Sequence, residues 1–118
     1  MVSEEELERK YEEYEKMRQA YLLVEAQRSK ILQDLDEIEN ALKELNNLSE
    51  GQKVYLLVGN VLVEKDKKEL IDRLNEEKEV FKIKSESLKK QSDLYRDKLN
   101  SLAKELEDLL KKSNLQSK

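Results

Sequence analysis

One uncharged stretch decides the fold, and it reads Val54-Tyr55-Leu56-Leu57-Val58-Gly59-Asn60-Val61-Leu62-Val63. Here apolar residues run together instead of recurring at helical spacing. The Gly59-Asn60 dipeptide favours a tight two-residue turn, because Gly accepts positive φ freely and Asn accepts it better than most residues. β-Branched and aromatic residues on both sides favour extended strands. The stretch therefore predicts a β-hairpin over residues 54–64, with strands at 54–58 and 61–64.

We expect this hairpin to need neighbours. Side chains alternate between the two faces of a strand, so Leu56 and Leu57 point in opposite directions and both faces are apolar. An isolated two-stranded hairpin is marginally stable in water, and its open edges pair readily with another chain. No other part of the sequence predicts a strand. The hairpin residues 54–63 are therefore predicted to be an oligomerisation surface that other polypeptides complete.

The segments on both sides of the hairpin carry apolar residues at alternating spacings of three and four, which is typical of coiled-coil helices. The first seam consists of Leu7, Lys10, Tyr14, Met17, Tyr21, Val24, Arg28, Ile31, Leu35, Ile38, Leu42 and Leu45. The second consists of Ile71, Leu74, Lys78, Phe81, Ser85, Leu88, Ser92, Tyr95, Leu99, Leu102, Leu106 and Leu109. Capping patterns at Ser3 and Asp66 predict helices over residues 4–47 and 67–112, followed by a flexible polar tail at 113–118.

These elements predict a mainly α fold, a long antiparallel two-helix coiled coil joined by one β-hairpin, as a single domain over residues 1–118. Two helices of similar length must run antiparallel to pack, which brings both chain ends together at the end opposite the hairpin. Ser85 and Ser92 interrupt the second seam. They either make room for bulky residues opposite them on the first helix or weaken the coil there.

Composition argues against an enzyme. The chain has no His and no Cys, which excludes thiol chemistry, disulfides and the usual zinc ligands. There is no glycine-rich phosphate loop, so we expect no catalytic residues, cofactor or metal. The net charge of −4 disfavours nucleic acid as a partner. The longest apolar run is about half of the ~20 residues that a membrane-spanning helix needs, so we expect no membrane partner and a cytoplasmic location.

The hairpin region resembles the β-type subunits of the prefoldin family. The likeness rests on Val54-Tyr55, on the Gly-centred turn and apolar strand at 58–63, and on the charged helix start Lys65-Asp66-Lys67. A single hairpin is typical of the β-type, because the α-type carries two. One departure is the apolar run at 55–57, where many relatives place a Lys or Thr.

The resemblance implies an ATP-independent holdase chaperone subunit that holds unfolded client proteins at coiled-coil tips and delivers them to a group II chaperonin. It also implies a hexamer of two α-type and four β-type subunits, whose hairpins form an intersubunit β-barrel. Apolar residues near the chain ends are the predicted client contacts: Leu7, Tyr11, Tyr14, Leu102, Leu106, Leu109, Leu110 and Leu115. The alternative is that these residues only close the coil, which is favoured for Leu102 and Leu106, whereas client contact is favoured for Tyr11, Leu110 and Leu115.

Two other interpretations stay open. The chain can be a structural coiled-coil hairpin that docks through its β-hairpin into another assembly without binding clients. A helical-arm nucleic-acid binder is the third interpretation, which the acidic charge disfavours.

Overall fold

The structure of the protein is a computed structural model. It describes the backbone of residues 3–116 and the side chains of residues 3–113. The elements in order are α1 (Glu4–Asn46), β1 (Val54–Val58), β2 (Val61–Lys65) and α2 (Lys67–Gln116). Two long helices and a two-stranded antiparallel hairpin confirm the predicted fold class. Neither described helix has an apolar window long enough to cross a bilayer.

The chain divides into two compact units. The terminal unit consists of Met1–Arg28 with Ser87–Lys118, and the hairpin unit consists of Ser29–Glu86. Each unit holds one segment of α1 and one segment of α2. The prediction of a single domain over residues 1–118 stays a prediction.

Both helices begin at the residues that the capping patterns indicate. Ser3 Oγ accepts the backbone N–H of Glu6 at 3.1 Å, which satisfies one of the donors that a helix start leaves unpaired. The carbonyl of Asp66 accepts the N–H of Leu70 at 3.1 Å and places Asp66 at the N-cap of α2. After α1, Gly51 has a φ of 84°, a left-handed conformation that suits glycine in the turn leading to the hairpin.

The predicted end of the second helix was wrong. α2 continues through Gln116, four residues past the expected end at Lys112, so the expected flexible tail is helical over 113–116. This segment contains neither Gly nor Pro, and its Leu and Gln are good helix formers. Polar composition alone therefore does not stop a helix, and residues 117–118 lie outside the described part of the chain.

The hairpin has the register that its two-residue turn dictates. Leu57 lies opposite Leu62 and Val58 lies opposite Val61, with Gly59 and Asn60 between the strands. Gly59 has a φ of 59°, whereas Asn60 does not adopt a positive φ. A glycine with positive φ at the first central position is typical of a type II′ turn, which matches the right-handed twist of paired strands.

The core of the hairpin unit follows the predicted first seam in its α1 segment, because Ile38, Leu42 and Leu45 are buried. In its α2 segment the buried residue is Leu70, which lies one position before the predicted seam residue Ile71, and Ile71 is only half-buried. Two polar contacts join the same segments. Lys78 Nζ lies 3.8 Å from Glu39 Oε1, and Lys67 Nζ donates a hydrogen bond to the carbonyl of Leu48 at 3.3 Å.

The terminal unit contains a polar contact within its seam. Val24 is buried, and the buried side chain of Ser92 donates a hydrogen bond to Glu25 Oε1. The same oxygen lies 3.7 Å from Nη1 of Arg28. Neither packing alternative for the seam serines includes this bond, in which Ser92 donates to a carboxylate beside the opposite seam.

Candidate functional site

An apolar groove lies in the terminal unit, near the first turns of α1 and the later turns of α2. It has a volume of about 470 Å³, and we call it the terminal groove. Its lining residues are Leu7, Glu8, Tyr11, Glu12, Tyr14, Leu106 and Leu110. Five of these seven are the aliphatic and aromatic residues that the sequence predicts as contacts. The groove therefore offers apolar surface to an apolar segment of another molecule.

Heptad position explains why this surface stays accessible. Leu7, Tyr14 and Leu106 occupy seam positions and are only half-buried, because they lie near the ends of the paired helical segments. Tyr11 and Leu110 lie beside the seam, and their exposed fractions are 57% and 52%. Coiled-coil packing therefore leaves part of this apolar surface uncovered.

A second groove in the same unit differs in charge, and we call it the flank groove. Its lining residues are Lys10, Glu13, Lys16, Met17, Asp97, Lys98, Ser101, Leu102 and Glu105. Three bases balance three acids in this lining. Lys10 Nζ lies 2.7 Å from Glu105 Oε2. The hydrogen bond to this carboxylate raises the pKa of Lys10 above its ordinary value. The flank groove thus carries balanced charge, and Lys10 is paired with both Glu13 and Glu105.

The remaining predicted contact residues do not join the terminal groove. Leu102 lines the flank groove, and Leu109 is half-buried in the seam. The side chain of Leu115 lies outside the described residues. The role of all eight residues in client contact stays a prediction.

Sequence reasoning missed Glu8 and Glu12, which line the terminal groove. Their signal is helical spacing, because residues three and four apart share a face, and Glu8 lies three residues before Tyr11 and four before Glu12. The dense run of acids at the start of α1 obscured that spacing.

The hairpin presents a second candidate surface. Tyr55, Leu57 and Leu62 share one face of the two-stranded sheet, as the strand register requires. Their exposed fractions are 50%, 65% and 65%. Removing the remaining exposed area of Leu57 or Leu62 from water is worth about 1–2 kcal/mol each. An apolar face of this kind is typical of an interaction surface rather than of a free monomer.

The opposite face of the hairpin corrects one expectation. Val54 and Leu56 are half-buried, and they line a groove together with Leu45, Leu70 and Leu74 of the hairpin unit. The helices of the chain itself therefore cover part of this face, which we expected other chains to cover. The strand pattern alone does not show this, because alternation gives the composition of each face and not what packs against it.

The many acidic residues that the structure describes do not form a metal site. Among the described residues, no group of three or more Asp or Glu side chains is placed to hold an ion.

Comparison with known proteins decides the family. The family model of a prefoldin subunit matches residues 8–113 of the chain, which include the hairpin and most of both helices. The chain belongs to the prefoldin family.

Similar prefoldin proteins come from several organisms. Prefoldin subunit beta of Sulfurisphaera tokodaii is 38% identical over 84 residues, which cover 71% of this chain and 67% of that protein. Prefoldin subunit beta of Archaeoglobus fulgidus is 31% identical over 96 residues, which cover 81% of this chain and 83% of that protein. The resemblance to β-type subunits is thereby confirmed.

A solved structure supports the fold. The crystal structure of the prefoldin beta subunit from Thermococcus strain KS-1 is similar with a TM-score of 0.79 and 24% sequence identity. The alignment covers 92% of this chain and 94% of that one.

Membership in the prefoldin family settles the class of function. Prefoldin subunits are chaperone subunits and not enzymes, which confirms the prediction that this chain is not an enzyme. They form hetero-oligomeric complexes with other prefoldin subunits. Coiled-coil helices and a β-hairpin, both present here, are the elements expected of such a subunit.

Proposed function

We propose that this prefoldin subunit is an ATP-independent holdase, which captures unfolded proteins near its chain ends and delivers them to a group II chaperonin in the cytoplasm. The observation that carries this proposal is the terminal groove, where Tyr11 and Leu110 remain more than half exposed. An exposed apolar groove suits clients of many sequences, because apolar contact is not directional.

Holding does not require a tight single site. Each groove contributes weak apolar contacts, and several subunits in one complex raise the overall affinity through avidity. A hetero-oligomer that presents several terminal grooves can therefore retain a client that any single groove would release quickly.

The proposed partners follow from the hairpin and from the family. The exposed pair Leu57 and Leu62 supports assembly through the hairpin with α-type subunits and further β-type copies. We infer an assembly of two α-type and four β-type subunits with an intersubunit β-barrel. Native mass spectrometry of the complex purified from its source would give this stoichiometry directly.

A client-aggregation assay tests the holdase proposal. A chemically unfolded protein is diluted into buffer that contains the assembled complex and no ATP, and light scattering follows its aggregation. Changing Tyr11→Gln together with Leu110→Gln removes exposed apolar surface and keeps good helix formers. We expect about 30-fold more complex to be needed for the same suppression, because each of the two side chains contributes on the order of 1 kcal/mol to apolar contact.

Matched control variants separate the groove from general surface hydrophobicity. Leu22 and Leu94 lie in the same unit, outside the terminal groove, and their exposed fractions are 50% and 61%. Leu22→Gln with Leu94→Gln should leave suppression unchanged. Equal loss in both double variants would remove the groove from the proposal. No suppression by the unaltered complex would favour the alternative, a structural subunit that binds no client.

Delivery needs a separate readout in the same assay. After capture, a group II chaperonin and ATP are added, and recovery of the native client is measured. We expect recovery to depend on the complex, and equal recovery without it would contradict the delivery step.

A further inference from the structure

The start of α1 carries a concentrated negative charge. Residues 4–16 contain seven Glu and three Lys or Arg, a net charge of −4 that equals the net charge of the whole chain. Residues 101–113 of α2 contain three acids and three bases, so they do not offset this charge. The part of the terminal unit that contributes most of the groove lining is therefore electronegative.

Two of these acids belong to the groove itself. Glu8 and Glu12 line the terminal groove, and no Lys or Arg among the described side chains lines it. Glu13 is paired with Lys10 and Glu15 with Arg18, at 3.6 Å and 3.4 Å. Within residues 3–113, neither Glu8 nor Glu12 forms an ion pair. Two carboxylates thus border apolar surface, and no described side chain of the chain balances them with a cation.

The aromatic lining adds to this preference. Tyr11 and Tyr14 both line the groove, and the face of an aromatic ring attracts a cation that approaches within about 6 Å of its centre. Carboxylates and ring faces therefore favour the same chemistry, a Lys or Arg next to an apolar side chain. The long aliphatic stems of Lys and Arg can lie on the apolar floor while their charged ends reach Glu8 or Glu12.

We infer that the terminal groove selects cationic amphipathic segments of unfolded polypeptides, in which apolar residues are flanked by Lys or Arg. This inference rests on the proposed holdase function and names the client chemistry of the same groove. Charge complementarity carries it, because Glu8 and Glu12 attract cationic flanks and repel anionic ones. The flank groove supplies no such preference, since its acids and bases are balanced.

Three peptides with one shared apolar core test the inference. Their flanks carry Lys, Glu or Ser, and their binding to the full-length protein in its complex is measured by fluorescence anisotropy at low salt. An exposed ion pair changes affinity by up to about fivefold, so two pairs predict about tenfold tighter binding of the Lys-flanked peptide than of the Glu-flanked one. At 1 M salt the Debye length falls to about 3 Å, and this difference should largely disappear.

Matched variants assign the preference to the groove. Glu8→Gln with Glu12→Gln should remove most of the difference between the Lys-flanked and Glu-flanked peptides while the Ser-flanked peptide binds as before. Glu13→Gln with Glu15→Gln removes the same formal charge outside the terminal groove and should leave the difference in place.

The outcomes distinguish this inference from the holdase proposal. Equal affinities of all three peptides for the unaltered protein would overturn the charge selection and leave groove binding intact. Equal loss of selectivity in both double variants would replace groove selection by a general charge effect and overturn it as well. Absence of binding by every peptide would overturn both proposals together.

Discussion

A single glycine sets the backbone conformation of the hairpin turn. Gly59 has a φ of 59°, and a Cβ built on it would meet no atom within 4 Å. A side chain at this position would therefore destabilise the hairpin through the unfavourable backbone conformation and not through steric crowding. We expect Gly59→Ala to weaken the hairpin by about 1 kcal/mol, the usual cost of a left-handed conformation in an L-residue. The exchange rates of the hairpin amides should rise about fivefold when measured by hydrogen exchange.

The neighbouring turn residue provides the control. Asn60 does not adopt a positive φ, so Asn60→Ala should change the exchange rates much less. Equal effects of the two substitutions would show that the turn depends on its side chains and not on the φ of Gly59.

Glu25 and Ser92 show where residue-level prediction from the sequence ends. The heptad pattern marks Ser92 as a polar interruption of the seam, but it cannot name Glu25 as its partner, because Glu25 lies beside the seam. A polar pair inside a coiled coil favours one register of the helices, since slipping one helix would separate the buried Ser92 hydroxyl from its acceptor. The contact therefore gives the terminal unit one preferred alignment of its helical segments.

The two elements of the hairpin are where sequence prediction was most complete. A two-residue turn between β-branched residues determines the register, so Leu57 opposite Leu62 followed from the sequence. The partial burial of Val54 and Leu56 did not follow from the sequence, because it depends on how the strands lie against the helices. The end of α2 at Gln116 was missed as well, since a polar segment without Gly or Pro carries no stop signal.

Exposure of Leu57 and Leu62 leads to a prediction about the hairpin as an assembly element. Changing Leu57→Lys together with Leu62→Lys should release a helical monomer, because the exposed face loses its apolar pair and gains two charges. Native mass spectrometry would report the loss of assembly, and circular dichroism would report the retained helices. An unchanged assembly mass would contradict the role of the hairpin surface.

Like charges directly opposite each other also destabilise the hairpin itself. A second variant, Leu57→Thr with Leu62→Thr, removes the apolar surface but keeps residues that favour strands. It should weaken assembly as well, which would attribute the loss to the interface and not to unfolding of the hairpin.

Over the whole molecule, the two candidate surfaces belong to different units. The exposed hairpin face lies in the hairpin unit, whereas the terminal and flank grooves lie in the terminal unit. The heptad pattern did not predict that Leu102 and Leu106 line different grooves. It places both residues in one seam, and a seam has a groove on each side of the helix pair. Because these surfaces belong to different units, we expect assembly and client holding to be separable by mutation.

Trimming the protein to residues 17–99 uses this separation. The trimmed protein loses every lining residue of the terminal groove and keeps the whole hairpin unit, so it should assemble normally and hold clients much more weakly. Native mass spectrometry measures the first result, and the client-aggregation assay measures the second. The trimmed protein also keeps Glu25, Arg28 and Ser92, which preserves the polar contact of the seam. Full client holding by the trimmed complex would place the client contacts within residues 17–99 and contradict the terminal groove as the holding site.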